Sequence, residues 1–279
     1  MTYNSMITIL TDETLIEPAL GAAISVAEAH DAHLDVLCMG VDRSQSGYYY
    51  AGATAVVLEQ SLGRARQEAT AIEAAARKLL KNSGIRWSCE SDVGQMIDLS
   101  RRIGARARFA DLAVLPQPYG EGRGGDLEAT TEGCLFNGQL PVLIMPDDAK
   151  LPEHPAKIVV GWNESAEAMS AVRAALPLLR AAENVHVVVI DPPTHGPNRS
   201  DPGGQISQFL SRHGVRVEID VLARTLPRVS DVLNRHAVDI QADMMVVGAY
   251  GHSRFREAVF GGATRDLLEN AKLPVFMAH

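Results

Sequence analysis

Glycine spacing gives the first chemical clue in this chain. An apolar run, MMVVG at 244–248, leads straight into GAYGHSRFREAVFGGATRDLLEN, which places glycines at 248, 251, 261 and 262 and begins a helical pattern near Gly262. Glycine at a strand end admits positive φ and lets a ligand approach the main chain, and the first turn of a helix offers unpaired N–H groups to an anion. Such a layout suits phosphate binding. The spacing is neither G-x-G-x-x-G after a first strand nor G-x-x-x-x-G-K-[ST], so on residues alone a set of structural turns explains it as well. His252, Arg254 and Arg256 behind Gly251 either supply cations to a polyphosphate or form a solvated basic turn.

The other chemical candidates have plainer readings. His30 and His33 make an H-x-x-H across a helix end and a strand start, where the two rings need not converge on a metal, and no third ligand is evident. There is no H-E-x-x-H and no G-x-S-x-G. Asp12 ends the first strand, and Asp111, like Asp243, opens a fourth one, where a cap on the preceding turn is expected. Tyr48, Tyr49 and Tyr50 form an aromatic run that either covers its own domain or makes a contact patch. Cys38 and Cys89 fall in strand patterns and read as inert core thiols.

Positioning such residues requires a frame, and the hydrophobic periodicity supplies one. ITIL, a helical stretch over 16–30, LDVLCM and a long amphipathic run to Lys81 set up a β-α-β rhythm. KIVVGW, Ser165 to Ala181, VHVVVI, Gly204 to His213, VRVEID, Pro227 to Ile240, MMVVG and PVFMA repeat it. TILTDET (8–14) matches VVGWNES (159–165), ADLAVL (110–115) matches ADMMVV (242–247), and LPVLIM (140–145) matches LPVFMA (273–278). The polar, proline-bearing PDDAKLPEHP at 146–155 separates the copies, giving domains over 1–147 and 156–279. Each is expected to be a doubly wound, Rossmann-like α/β domain with a five-stranded, mostly parallel sheet and helices on both faces. A charge of -8 builds no positive field for a nucleic-acid backbone, and three scattered cysteines with no apolar leader fit a cytoplasmic protein without membrane contact.

Two such halves, with G-x2-G-x9-G (Gly248, Gly251, Gly261) after strand four and LPV before strand five, resemble the universal stress protein family in tandem form. The resemblance implies strand order 3-2-1-4-5 and pairing through the last strands, either within one chain as a pseudo-dimer or between chains as a homodimer. One branch of the family binds ATP through this loop and another lacks the motif. The family continues the last glycine with Ser or Thr; here Gly262 stands there, followed by Ala263 and Thr264. Losing one hydrogen bond to a charged phosphate costs about 1.5 to 3 kcal/mol, which weakens binding without abolishing it. Asn163 stands where the family has an acid facing the nucleoside, and Val189 and Val247 match positions that pack around the base. In the first half Asp12 keeps the acid, but Glu128 and Ala129 match Gly261 and Gly262, and Gly120, Gly122, Gly124 and Gly125 are bunched, so its site is expected to be lost. Three functions fit: a regulatory stress protein holding ATP or a related adenine nucleotide (with Mg2+ when ATP is bound) and acting on a protein partner; a scaffold that binds no nucleotide; and a slow ATP hydrolase. The hydrolase is disfavoured because Glu257 is the only carboxylate inside the motif.

Overall fold

The computed structural model describes residues 3–44, 55–192, 201–249 and 262–279. Tyr48–Tyr50, Gly251, His252, Arg254, Arg256, Glu257 and Gly261 lie outside the described residues. Contacts divide the chain into two compact units, Tyr3–Val142 and Leu143–His279. The split falls inside the fifth strand, just ahead of the polar 146–155 stretch.

The first half runs β1 (Ser5–Leu10), α1 (Ile16–Ala29), β2 (His33–Asp42), α2 (Ala55–Leu80), β3 (Arg86–Gln95), α3 (Leu99–Ala107), β4 (Leu112–Pro116), α4 (Gly125–Glu132) and β5 (Val142–Met145). The second runs β6 (Lys157–Gly161), α5 (Ala166–Ala174), α6 (Leu176–Ala181), β7 (Asn184–Ile190), α7 (Gly204–Arg212), β8 (Val217–Leu222), α8 (Val229–Asp239), β9 (Met244–Gly248), α9 (Gly262–Asn270) and β10 (Val275–Ala278). Strand orders are β3-β2-β1-β4-β5 and β10-β9-β6-β7-β8, the same 3-2-1-4-5 plan twice. The strand pairs β1–β2, β1–β4, β2–β3, β6–β7, β6–β9, β7–β8 and β9–β10 are all parallel.

Burial follows from that order. Central strands β1, β4 and β9 are covered on both faces and read as near-continuous apolar runs, whereas β3 and β8, last in their orders, alternate and carry charges. α1 buries Ile16, Ala19, Leu20, Ala23, Val26 and Ala27, a stripe at three- and four-residue spacing. α2 crosses β2 closely: a Cβ on Gly40 would lie 1.8 Å from the Ala65 carbonyl oxygen, so only glycine fits there. No helix among the described residues is long and apolar enough to cross a membrane.

The duplication survives at the level of single atoms. Asp111 Oδ2 accepts from Asn4 N (2.8 Å) and Ser5 N (3.0 Å), and Asp243 Oδ2 accepts from Ala156 N (2.6 Å) and Lys157 N (3.0 Å). These aspartates therefore anchor the start of each first strand; the local turn cap expected from sequence is replaced by a contact from a distant part of the chain. Glu90 on β3 holds Arg106 of α3, and at the matching positions Asp220 on β8 holds His236 of α8 at 2.8 Å, together with His186 at 3.0 Å. The anchors match Ser5 with Lys157, one residue out of step with the match of Asp12 to Asn163, so β1 reaches its terminal acid through one extra residue. His30 caps α1 and meets Tyr3 edge-on at 5.1 Å, while His33 pairs with Asp35 at 3.5 Å.

Asp42, at the end of β2, is buried. Burial pulls its carboxyl upward, but bonds from Ser61 Oγ (2.6 Å) and Ser44 N (2.9 Å) outweigh that and hold it below the usual carboxylate range. A carboxyl lowered by folding contributes stability above about pH 4 that is lost as the pH falls through its folded value. Ser61→Ala is expected to cost about 1.5 to 3 kcal/mol near neutral pH, with the difference from the parent shrinking on acidification. Urea unfolding at a series of pH values checks this, and a pH-independent difference would assign Ser61 to packing alone.

Candidate functional site at the strand ends of the second unit

The carboxyl ends of β6, β7 and β9 surround a cavity of about 170 Å³ in the second unit, lined by Gly161, Trp162, Asn163, Val188, Ile190, Val229, Ser230, Leu233, Val247, Gly248, Ala263, Thr264 and Leu267. Strands one and four are neighbours at the reversal of strand order, which is where this architecture opens a crevice. The wall is apolar, and its side-chain polar groups among the described residues are Trp162, Asn163, Ser230 and Thr264, without a formal charge. Ser230, in the first turn of α8, is 4% exposed, and its hydroxyl has no hydrogen-bond partner among the described residues. A buried unpaired hydroxyl costs free energy until a ligand or water satisfies it.

Five of the nine residues expected from sequence line this cavity: Asn163, Val247, Gly248, Ala263 and Thr264. Gly262 is the first described residue of α9 beside them, is exposed, and an added Cβ there would meet nothing within 4 Å among the described residues. Val189 is not on the wall. Side chains alternate along a strand, so Val188 and Ile190 face the cavity while Val189 faces the opposite side, where Gly203 and Ile219 lie. Sequence reasoning also missed Trp162, Val229, Ser230, Leu233 and Leu267; strand parity and the helical spacing of 229, 230 and 233 were the signals for them.

Asn163 Oδ1 accepts from Ser165 N (3.1 Å), and Ser165 Oγ caps α5 by accepting from Ala168 N (3.1 Å). Asp12 makes the matching contact with Thr14 N (2.8 Å). The side chain at this position thus shapes the turn after strand one in both halves. Gly248 has a structural reason to be glycine: a Cβ would lie 2.4 Å from Ala168 N and 2.6 Å from the Glu167 carbonyl carbon.

In the first unit the corresponding place is built differently. α4 runs from Gly125 to Glu132, so Ala129, the residue that matches Gly262, lies inside it. Its amide, five residues into the helix, is therefore engaged rather than free to face an anion. Thr131, which matches Thr264, is buried with its hydroxyl bonded to the Leu127 carbonyl at 3.0 Å. Asp126 is also buried there and pairs with Arg43 at 3.5 Å. A further groove of about 230 Å³, lined by Asn234, Val238, Met245, Asn270 and Lys272 among others, opens near the start of β9 and away from the strand carboxyl ends. Among the described residues no group of three or more His, Cys, Asp or Glu is arranged to hold a metal ion.

Comparison with known proteins bears on the same region. The model of the universal stress protein family matches residues 155–279. A universal stress protein of Synechocystis is 26% identical over 159 residues, covering 54% of this chain and 51% of that relative, so the match spans about half of the relative's length. The whole chain superimposes on a universal stress protein from Archaeoglobus fulgidus with a TM-score of 0.72 at 13% identity, covering 99% of this chain and 98% of that one. A universal stress protein described as putative from Pseudomonas aeruginosa gives 0.61 at 15% identity, with 99% and 93% covered. At these identities the two structures speak for the tandem fold.

Because the Gly248 contact is with backbone, Gly248→Ala is expected to destabilise the protein by about 1 to 3 kcal/mol with no ligand present. Denaturant unfolding of nucleotide-free protein measures it, and an unchanged midpoint would show that the turn needs no glycine for packing.

Proposed function

We propose, from the premise that residues 155–279 belong to the universal stress protein family, that the second unit binds an adenine nucleotide and that the chain acts in a stress response as a regulatory, non-catalytic protein. The observation that carries this is the cavity at the ends of β6, β7 and β9, with Ala263 and Thr264 of α9 at its rim and, in its wall, a Ser230 hydroxyl that has no partner among the described residues. Pockets that enclose a whole drug-sized ligand are about 300 to 1,000 Å³. At about 170 Å³ this one suits part of a ligand, with the remainder in solvent.

The residues divide by chemistry. Trp162, Ile190, Leu233 and Val247 offer an apolar wall to a base, and the amide nitrogen of Asn163 offers a donor to a ribose hydroxyl. The amides of Gly262 and Ala263, at the start of α9, and the Thr264 hydroxyl suit phosphate oxygens, which would bring Mg2+ with them. The described wall carries no carboxylate to hold a metal or position a water, so the chemistry it suits is binding rather than hydrolysis. Ligand binding would act by changing the surface offered to a protein partner.

The test uses the chain's two tryptophans, Trp87 and Trp162. Native mass spectrometry of protein purified without added nucleotide comes first, followed by titration of a Trp87→Phe variant with ATP and Mg2+ while Trp162 fluorescence is followed. A saturable change is expected. Gly262→Ser, which restores the family hydroxyl at a position with no neighbour within 4 Å among the described residues, is expected to tighten binding roughly 10- to 100-fold, the equivalent of one charge-assisted hydrogen bond. Protein that arrives empty and gives a flat signal at millimolar ATP in both forms would leave the scaffold as the working reading.

A further inference from the structure

We propose that Cys38 and Cys89 are a redox pair that closes to a disulfide when a hydroperoxide reaches Cys89. Their Sγ atoms are 3.8 Å apart. The residues lie on adjacent parallel strands, two positions out of register, since Val36 faces Cys89 and Cys38 faces Ser91. Both thiols lie beneath α2: Gly40, two residues beyond Cys38, touches the Ala65 backbone, and the Arg77 guanidinium donates to the Cys89 carbonyl oxygen. The sequence alone, in which they stand 51 positions apart, reads them as separate core thiols.

The second unit provides an internal comparison. Val189 and Ile219 occupy the matching positions with the same offset, as Val187 faces Ile219 and Val189 faces Val221. Both contact the position of Gly203, just ahead of α7. One copy of the fold thus fills this place with two branched hydrocarbons, and the other fills it with two thiols in contact.

The surroundings distinguish the two sulfurs. Cys38 is fully buried, whereas Cys89 is 7% exposed and sits on β3, last in the strand order of its unit. Arg77, held by Glu73 at 2.8 Å, brings a positive charge to the Cys89 side. The hydrogen bond shared with Cys38 and then the Arg77 charge hold the Cys89 thiol below its usual range, against the opposing effect of burial. The shared bond, together with burial, pushes Cys38 up. Cys89 is therefore the nucleophile and Cys38 the resolving thiol.

In the first step the Cys89 thiolate attacks one peroxide oxygen. An S–O bond forms, the O–O bond breaks, and the departing oxygen takes a proton to leave as water or an alcohol. The sulfur, now a sulfenic acid, has lost two electrons to the peroxide. Cys38 then attacks the Cys89 sulfur; the S–S bond forms, the S–O bond breaks, and hydroxide leaves as water with the Cys38 proton. The sulfurs close from 3.8 Å to about 2 Å. Cys134, fully buried in the same unit with burial pushing its thiol up to about 12, is the internal control.

Reduced full-length protein is treated with hydrogen peroxide, and its free thiols are counted before peptide mapping without reductant. The count is expected to fall from three to one, with Cys38 and Cys89 in one linked peptide and Cys134 still reduced. Cys38→Ser is expected to leave a sulfenic acid on Cys89 that dimedone traps, and Arg77→Gln to slow disulfide formation severalfold. The double variant Cys38→Val with Cys89→Ile copies the second unit; circular dichroism verifies that it is folded, and it is expected to lose no thiol to peroxide. Three thiols surviving treatment, oxidation confined to Cys134, or unlinked oxidation of both cysteines would each overturn the assignment.

Discussion

A parallel strand covered by helices on both faces has no place along its length for an unpaired charge or a bound ligand. That constraint organises this molecule. β1, β4 and β9 are buried almost from end to end, so polar chemistry is displaced to where strands begin and end. At the beginnings, Asp111 and Asp243 tie the first residues of each unit's first strand. At the ends, Asp12 and Asn163 shape the turns that open towards solvent. Both units obey the same constraint.

The constraint also explains which parts of the structure were legible in the sequence. Runs such as MMVVG and VVVI are unmistakable because burial on both sides permits little else, and the repeated order of strands and helices follows from them. Asn163, Val247, Gly248, Ala263 and Thr264 could be placed because strand ends are fixed points of the fold. Val189 shows the limit of that reasoning: a strand that ends in the apolar run from Val187 to Ile190 conceals its parity, and with it which side chain faces the cavity. Trp162 and Ser230 lay outside reach for a related reason, since nothing local tells how the start of α8 meets the end of β6. The contact of Cys38 with Cys89 required the β2–β3 register, which is a property of pairing rather than of either segment.

Glycine in this chain serves two distinct ends. Gly40 and Gly248 are held by backbone that passes too close for any side chain, Ala65 in one case and Ala168 in the other. Gly262 is under no such pressure from any described residue. A glycine-rich loop is therefore weak evidence of a ligand until each glycine has been tested against its neighbours, because close packing and anion binding select the same residue for different reasons.

The place of Ala129 inside α4 carries a consequence for how the first unit is able to change. Its amide is engaged in a helix that begins at Gly125, with Thr131 bonded inside that helix and Asp126 paired with Arg43. Single substitutions leave such a helix in place, and reshaping it requires unwinding a cooperative element before any side chain gains a new role. In a segment of that kind small steps do not accumulate, and a change of use has to come all at once.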